Sequence, residues 1–153
     1  MTTWALVTGA SKRIGCTIAT HLHDEGHNIV IHYGQSAKQA QALCTQLNTK
    51  RADSAIIMQA DLAQADAVNK LVLQIKSSQL PLSVLINNAS SFIPTPTGEA
   101  TFAQAQQLLA TNLITPYLLA EALNPILSKN NGCIINLLDI HGRRPLKDHG
   151  LYS

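Results

Sequence analysis

The sequence is poor in aromatic and charged side chains, and it has no long apolar run. Phe, Trp and Tyr make up 4% of its 153 residues, and Asp, Glu, Lys and Arg make up 13%. A net charge of +2 with scattered basic residues argues against a nucleic-acid partner. No apolar segment approaches the roughly 20 residues of a membrane span. An apolar content of 46% instead predicts one globular domain, residues 1–153.

Cysteine is also scarce, and its spacing excludes two kinds of site. Cys16, Cys44 and Cys133 are odd in number, far apart and without a C-x-x-C pair, so neither a disulfide framework nor a zinc site is predicted. We expect all three to be small core residues in a reducing compartment. No signal peptide precedes them, and the sequence therefore predicts a cytoplasmic protein. His21 and His23 lie two apart on one helix and do not form a metal pair.

Apolar β-branched runs alternate with segments of helical spacing along the whole chain. The runs predict strands at residues 2–7, 28–33, 54–59, 82–87 and 132–139. Helices are predicted from Ile14 to Gly26, after Ser36, over 61–78 and over 99–129, the last bent or ended near Pro125. Hydrophobic strands that alternate with helices form parallel sheets covered on both faces. We therefore predict an α/β, Rossmann-type doubly wound sheet of at least five strands.

The turn after the first strand reads "TGASKRIG" and could bind a phosphate. Gly9 and Gly15 allow a tight turn and close helix packing, and the start of the helix offers free N–H groups to an anion. The segment is not a P-loop, because no G-K-[ST] ends it. By itself, this glycine pattern is equally consistent with an ordinary strand-to-helix turn.

Several motifs together resemble the short-chain dehydrogenase/reductases. The glycine turn is similar to the family's T-G-x-x-x-G-x-G, with Arg13 at the middle glycine, and "DL" at residues 61–62, "NNAS" at 87–90 and Asn112 follow in the family's order. Arg13, "HYGQS", "NNASSF" and Asp139 resemble one subgroup, the pteridine reductases. The resemblance covers the whole chain and implies a dinucleotide-binding reductase.

The end of the second strand bears on the choice of dinucleotide. NAD-preferring folds place an acid there, whereas this chain has Ile31-His32-Tyr33-Gly34. With Lys12, Arg13 and Ser36 in reach, this absence favours NADPH, although Gly34-Gln35 departs from the His-Arg of the subgroup, and Lys12-Arg13 could be a solvated basic pair. The cofactor-binding residues that the resemblance implies are Gly9, Ser11, Arg13, Ile14, Tyr33, Ser36, Asp61, Leu62, Asn88 and Ala89.

Asp139 and Tyr152 are the candidates for acid–base chemistry. Spacing alone makes Asp139 a cap or a surface acid, but the resemblance makes both residues catalytic, since their separation is that of the subgroup. Reduction of a pterin C=N bond needs hydride at carbon and a proton at nitrogen. The family lowers the tyrosine pKa with a lysine four residues further on, which would lie past Ser153. The resemblance therefore predicts a C-terminally truncated chain that could be inactive.

The loop after the fourth strand, "NASSFIPTPTG", is the predicted substrate side. Phe92 could stack on a flat heteroaromatic ring or close the core, and Ser90 could bond to the ring or the cofactor. Asn112 is either a satisfied core amide or, by resemblance, an organiser of a proton-relay water. His141 and His149 are expected to face solvent near this site.

Three hypotheses of function follow from these patterns. The first is an NADPH-dependent reductase of a pteridine, namely a dihydropterin, dihydrobiopterin or dihydrofolate-like ring. The second is a general short-chain carbonyl reductase of the 3-oxoacyl-thioester type, which the aspartate at 139 disfavours. The third is a non-catalytic dinucleotide-binding fragment. Exposed apolar helix faces and an open sheet edge predict a homo-oligomer.

Overall fold

The computed structural model describes residues 2–153, which form one parallel sheet with helices on both faces. The strands are β1 (Trp4–Val7), β2 (Asn28–Tyr33), β3 (Ala55–Gln59), β4 (Leu82–Asn87) and β5 (Cys133–Asn136). The helices are α1 (Arg13–Asp24), α2 (Ala37–Lys50), α3 (Ala65–Ser77), α4 (Phe102–Leu109) and α5 (Thr115–Lys129). A π-helical turn (Ala110–Ile114) joins α4 to α5, and a short 3-10 helix (Ile140–Gly142) follows β5.

The strand order is β3-β2-β1-β4-β5, and every pairing is parallel, which confirms the predicted Rossmann-type sheet. Side chains alternate between the two faces along each strand. Leu6, Val30 and Leu85 pack against α3 and α5 on one face. On the other face, Val7 and Ile31 pack against α1 and α2. The interior strand β4, between β1 and β5, is buried at all six positions, as expected for a strand covered on both sides.

Several predicted boundaries were wrong, each for a local reason. The helix predicted from Asp61 begins at Ala65, because Asp61 accepts a hydrogen bond from the amide of Ala63 in a turn. Pro125 does not end the long helix, which continues to Lys129 and is interrupted earlier by the π-helical turn. The fifth strand stops at Asn136, well before Asp139.

The cysteines do not share one environment. Cys44 is buried as predicted, whereas Cys16 is half-buried and Cys133 is exposed on β5. All four residues of β5 are exposed, because only β4 pairs with it and little of the described chain covers its faces. Among residues 2–153, no helix is long and apolar enough to cross a membrane.

The topology fixes where a ligand could bind. After β1 the chain moves to β2 on one side, and β4 pairs with β1 on the other. In open parallel sheets this change of direction leaves a crevice at the carboxyl ends of the strands. The turns after β1, β2, β3 and β4 therefore converge at one edge.

Candidate active site

The turn after β1 is built around two glycines that leave no room for a side chain. Gly9 has φ 63°, in the left-handed region, and a Cβ there would lie 3.0 Å from Cα of Ala89. A Cβ on Gly15 would lie 2.4 Å from the carbonyl oxygen of Gly9. The glycines thus bring the start of α1 close to the turn, which forms a cradle at the crevice.

Hydrogen bonds from β4 hold this turn in place. The Thr8 hydroxyl accepts from the amides of Asn88 at 2.9 Å and Ala89 at 3.0 Å, and it donates to the Ile86 carbonyl. The Asn88 side-chain amide donates to the carbonyl of Thr8 at 2.8 Å and to that of Gly9 at 3.3 Å. Asn88 and Ala89, which the resemblance assigns to cofactor binding, therefore also fix the turn after β1.

The start of α1 presents unpaired backbone donors. Within residues 2–153, the amides of residues 11–15 donate to no protein acceptor, whereas Cys16 bonds to the Lys12 carbonyl. Unpaired N–H groups at a helix start favour a bound anion. Lys12 and Arg13 are exposed and add positive charge. Arg13 has φ 50°, so it occupies the left-handed conformation typical of the glycine that it replaces.

A cavity of about 730 Å³ opens over this turn. It is walled by the ends of β1, β2, β3 and β4, and its size and free amides fit the phosphate and adenosine parts of a dinucleotide. Most of the predicted cofactor residues line it, namely Gly9, Ser11, Arg13, Ile14, Ser36, Asp61, Leu62, Asn88 and Ala89. Tyr33 does not line the cavity, because its side chain packs on the opposite face of the sheet with the core under α1 and α2.

His32 also lines this cavity, although no motif of the sequence predicts a role for it. Its side chain is 1% exposed and hydrogen-bonds with the Gly9 amide and the Ala60 carbonyl, both at 3.1 Å. Burial lowers the pKa of His32 to about 4, against a weaker opposing effect of the bond to Ala60. The available signal was a polar residue that shares the face of Val30 within an apolar strand.

Asp139 and Tyr152 form a hydrogen-bonded pair beside the cavity. The Tyr152 hydroxyl donates to Oδ2 of Asp139 at 2.9 Å, and Oδ1 accepts from the amide of His141, also at 2.9 Å. Burial, followed by the bond to Asp139 and its charge, raises the pKa of Tyr152, whereas a bond with Ser90 acts in the opposite direction. The His141 amide and then the Tyr152 hydroxyl lower the pKa of Asp139. At neutral pH the pair therefore holds its proton on Tyr152, beside an ionised carboxylate.

Three aromatic rings pack together next to this pair. The ring of Phe92 stacks on His149 with centroids 4.4 Å apart, and it meets Tyr152 edge-to-face at 4.8 Å. Phe92 is 52% exposed, so it does not close the core. His149 was predicted to face solvent, but it is half-buried against Phe92. His149 covers one face of the Phe92 ring, and the exposed part of the ring lies beside Tyr152.

Asn112 connects the long helix to the loop that carries Phe92. Its side-chain oxygen accepts from the Ser91 amide, and its nitrogen donates to the Ser91 carbonyl, both at 2.8 Å. This two-bond contact is made from the π-helical turn, a feature often found at functional sites. In this structure Asn112 therefore positions the loop between β4 and α4. No cluster of possible metal ligands occurs among the described residues.

Comparison with known proteins agrees with this geometry. The model of the short chain dehydrogenase family matches residues 3–153. Pteridine reductase 1 of Leishmania tarentolae is 33% identical over 187 residues, which include 97% of this chain and 65% of that protein. The 3-oxoacyl-[acyl-carrier-protein] reductase FabG of Staphylococcus aureus is 34% identical over 143 residues, which include 93% of this chain and 58% of that protein.

An oxidoreductase of uncharacterised activity from Bacillus subtilis, YmfI, is 30% identical over 151 residues. The alignment includes 97% of this chain and 61% of that protein. The chain thus spans less than two thirds of the length of each of these relatives. Because the family model matches nearly the whole chain, and because the sheet and the glycine turn agree with it, the chain belongs to the short-chain dehydrogenase family.

Proposed function

We propose that the chain is the catalytic part of an NADPH-dependent reductase of a pteridine ring, a dihydropterin, dihydrobiopterin or dihydrofolate-like compound. The observation that carries this proposal is the Tyr152–Asp139 hydrogen bond of 2.9 Å beside the exposed ring of Phe92. A carboxylate and a phenol next to a flat apolar ring suit a substrate that must be stacked and protonated. The similarity to pteridine reductase 1 supports the same substrate class.

In this proposal, different residues of the chain hold the substrate ring, orient the proton donor and supply the proton. When bound, NADPH would supply the hydride for the carbon of a C=N bond. Phe92 holds the substrate ring by stacking, which contributes about 0.5–1.5 kcal/mol beyond burial. Tyr152 gives its hydroxyl proton to the adjacent nitrogen, and Asp139 orients that hydroxyl before substrate binds. Ser90, which is exposed and lowers the pKa of Tyr152, accepts or donates a hydrogen bond at the ring edge.

The proposed preference for NADPH over NADH rests on the end of β2. Gly34, Gln35 and Ser36 line the cavity there, and no carboxylate among them would repel a 2′-phosphate. Arg13 and Lys12 line the same cavity and supply positive charge. A Cβ on Gly34 would meet only the Ala60 carbonyl, at 3.8 Å, so Gly34→Asp introduces an acid without a clash. We expect this substitution to reverse the preference; an unchanged NADPH:NADH ratio of dissociation constants would refute the assignment.

A second candidate substrate is a 3-oxoacyl thioester. The 34% identity to the 3-oxoacyl-[acyl-carrier-protein] reductase of Staphylococcus aureus favours it, since that similarity also covers most of the chain. In this alternative Tyr152 protonates a ketone oxygen, and Phe92 has no ring to stack on. A protein that only binds the dinucleotide is the third candidate. We further propose a cytoplasmic homo-oligomer, in which a partner covers the apolar residues exposed on α4 and α5.

One experiment separates these candidates. NADPH binding is measured by fluorescence titration, and NADPH oxidation is then followed with dihydrobiopterin or with an acetoacetyl thioester. Dihydrobiopterin-dependent oxidation that Phe92→Ala weakens supports the proposal, whereas turnover of the thioester alone supports the second candidate. Binding without turnover of either substrate supports the third. Absence of NADPH binding would overturn all three.

A further inference from the structure

His32 is the most deeply buried polar side chain that lines the dinucleotide cavity, and the proton chemistry above does not use it. It lies next to the last residue of β2 and shares a sheet face with Val30, whose side chain belongs to the apolar core. Buried polar side chains persist when their hydrogen-bonding groups are satisfied. The partners of His32 therefore indicate what it does.

The two bonds of the His32 ring fix a single tautomer. A backbone amide can only donate, so Nδ1 accepts from Gly9 at 3.1 Å and carries no proton. A carbonyl can only accept, so Nε2 carries the hydrogen and donates to Ala60 at 3.1 Å. The imidazole is thus neutral, and both of its nitrogens are used within the protein.

These bonds connect two segments on which the cofactor would rest. Gly9 belongs to the phosphate turn, and the amide of its neighbour Ala10 donates to the His32 carbonyl at 2.9 Å. Ala60 directly precedes Asp61 and Leu62, which line the same cavity. On its other side the turn is held by Asn88. The His32 ring therefore adds a side-chain tie to the end of β3, beside the backbone bond to β2 and the bonds from β4.

We propose that His32 is a positioning residue of the dinucleotide site, which holds the phosphate turn against the end of β3 so that the free amides of residues 11–15 face the cofactor. The proposal depends on the proposed function for the identity of the ligand. The amide of Gly9 is occupied by the imidazole and does not bind the pyrophosphate. Removing the imidazole of His32 should let the turn adopt more conformations and should weaken dinucleotide binding.

The test compares His32→Leu, which loses both bonds, with His32→Gln, whose amide offers one acceptor and one donor. His23→Leu is the matched control, because His23 is 2% exposed and bonds to Ser54, close to the amino end of β3 and away from the cavity. NADPH dissociation constants and hydrogen exchange of the amides of residues 9–15 are measured on all three variants. If His32→Leu does not fold, His32→Asn replaces it, because its shorter side chain cannot reach both partners.

We expect His32→Leu to raise the dissociation constant for NADPH by about tenfold, which corresponds to about 1.4 kcal/mol. Exchange of the amides in the turn should be faster, whereas His32→Gln and His23→Leu should stay within about threefold of the parent protein, or about 0.6 kcal/mol. Unchanged binding in His32→Leu, or an equal loss in His23→Leu, would overturn the proposal. A parent protein that does not bind NADPH refutes the proposed function, and the exchange comparison then decides the role of His32 independently.

Discussion

The hydroxyl of Tyr152 points at the carboxylate of Asp139, with 2.9 Å between the two oxygens. Because an ionised carboxylate can only accept, the phenol donates its hydrogen to Asp139. Rotation of the hydroxyl about its C–O bond would redirect this hydrogen to a ligand. Burial and the carboxylate of Asp139 both raise the pKa of Tyr152, and both therefore favour the neutral phenol. Among the described residues, no cation lowers the pKa of Tyr152, so the phenol keeps its proton until a ligand accepts it.

Tyr152→Phe tests whether this proton is used. The substitution removes only the hydroxyl and retains the ring that meets Phe92 edge-to-face. We expect kcat with dihydrobiopterin to fall by about 100-fold or more, as is typical when a general acid is lost, while the dissociation constant for NADPH is unchanged. Tyr33→Phe is the matched control, because Tyr33 lies outside the cavity. An unchanged kcat in Tyr152→Phe would show that another group supplies the proton.

Asp139→Asn should lower the pKa of Tyr152. The carboxylate accepts the phenol hydrogen and repels a phenolate, and both effects raise the pKa. Asparagine retains an acceptor oxygen but removes the charge, so phenolate should form at lower pH in the variant. Ultraviolet difference titration against Tyr152→Phe isolates this tyrosine from Tyr33 and Tyr117. A titration curve that does not move, or that moves to higher pH, would contradict the observed pairing.

Arg13→Gly should change stability and cofactor binding in opposite directions. Arg13 has φ 50°, and glycine adopts this conformation without strain, so we expect the free energy of unfolding to rise by about 0.5–1 kcal/mol. Loss of the guanidinium should weaken NADPH binding more than NADH binding, because only NADPH carries the 2′-phosphate. Denaturant unfolding measures the change in stability, and fluorescence titration with NADPH and with NADH measures the change in affinity.

Gln79→Gly is the control for Arg13→Gly. Gln79 has φ 52° at the end of α3, far from the proposed phosphate contacts, so it should give a similar gain in stability with no change in cofactor affinity. Equal losses of NADPH and NADH affinity in Arg13→Gly would argue that Arg13 contacts a phosphate common to both cofactors.

His32 should make folding stability depend on pH between 7 and 5. Its pKa is about 4 in the folded protein and 6.5 when unperturbed, so over this interval the unfolded state binds more protons. Stability from this group is therefore complete above pH 6.5 and is lost as pH falls towards 4. From pH 7 to pH 5 the expected loss is roughly 2 kcal/mol. His32→Gln should remove this part of the slope in urea unfolding, whereas parallel slopes for both proteins would contradict it.

The sheet could be predicted from the sequence because its strands are continuous apolar runs separated by helical spacing. The helix boundaries at Asp61 and Pro125 could not, since an aspartate fits both a helix cap and a turn, and a proline can stay in a helix whose carbonyls adjust. The π-helical turn has no signature in the residue pattern.

The site was only partly predictable for a different reason. Gly9, Gly15 and Asn88 could be predicted because they lie in short motifs that recur with the same local conformation. His32 and His149 depend on contacts with segments distant in the chain, the Ala60 carbonyl and the ring of Phe92, and spacing carries no information about such contacts. Tyr33 illustrates the converse, because strand alternation directs its side chain to the face opposite His32.

The π-helical turn between α4 and α5 has a consequence that substitutions would not reveal. A π-helical turn contains one residue more than the α-helical turn that it replaces. Each residue of an α-helix rotates the chain by about 100° around the helix axis. Deleting one residue from this segment would alter the phase of α4 relative to α5 and turn Asn112 away from Ser91, even with every other side chain retained. The docking of the Phe92 loop is therefore encoded in the length of a helix as well as in its chemistry.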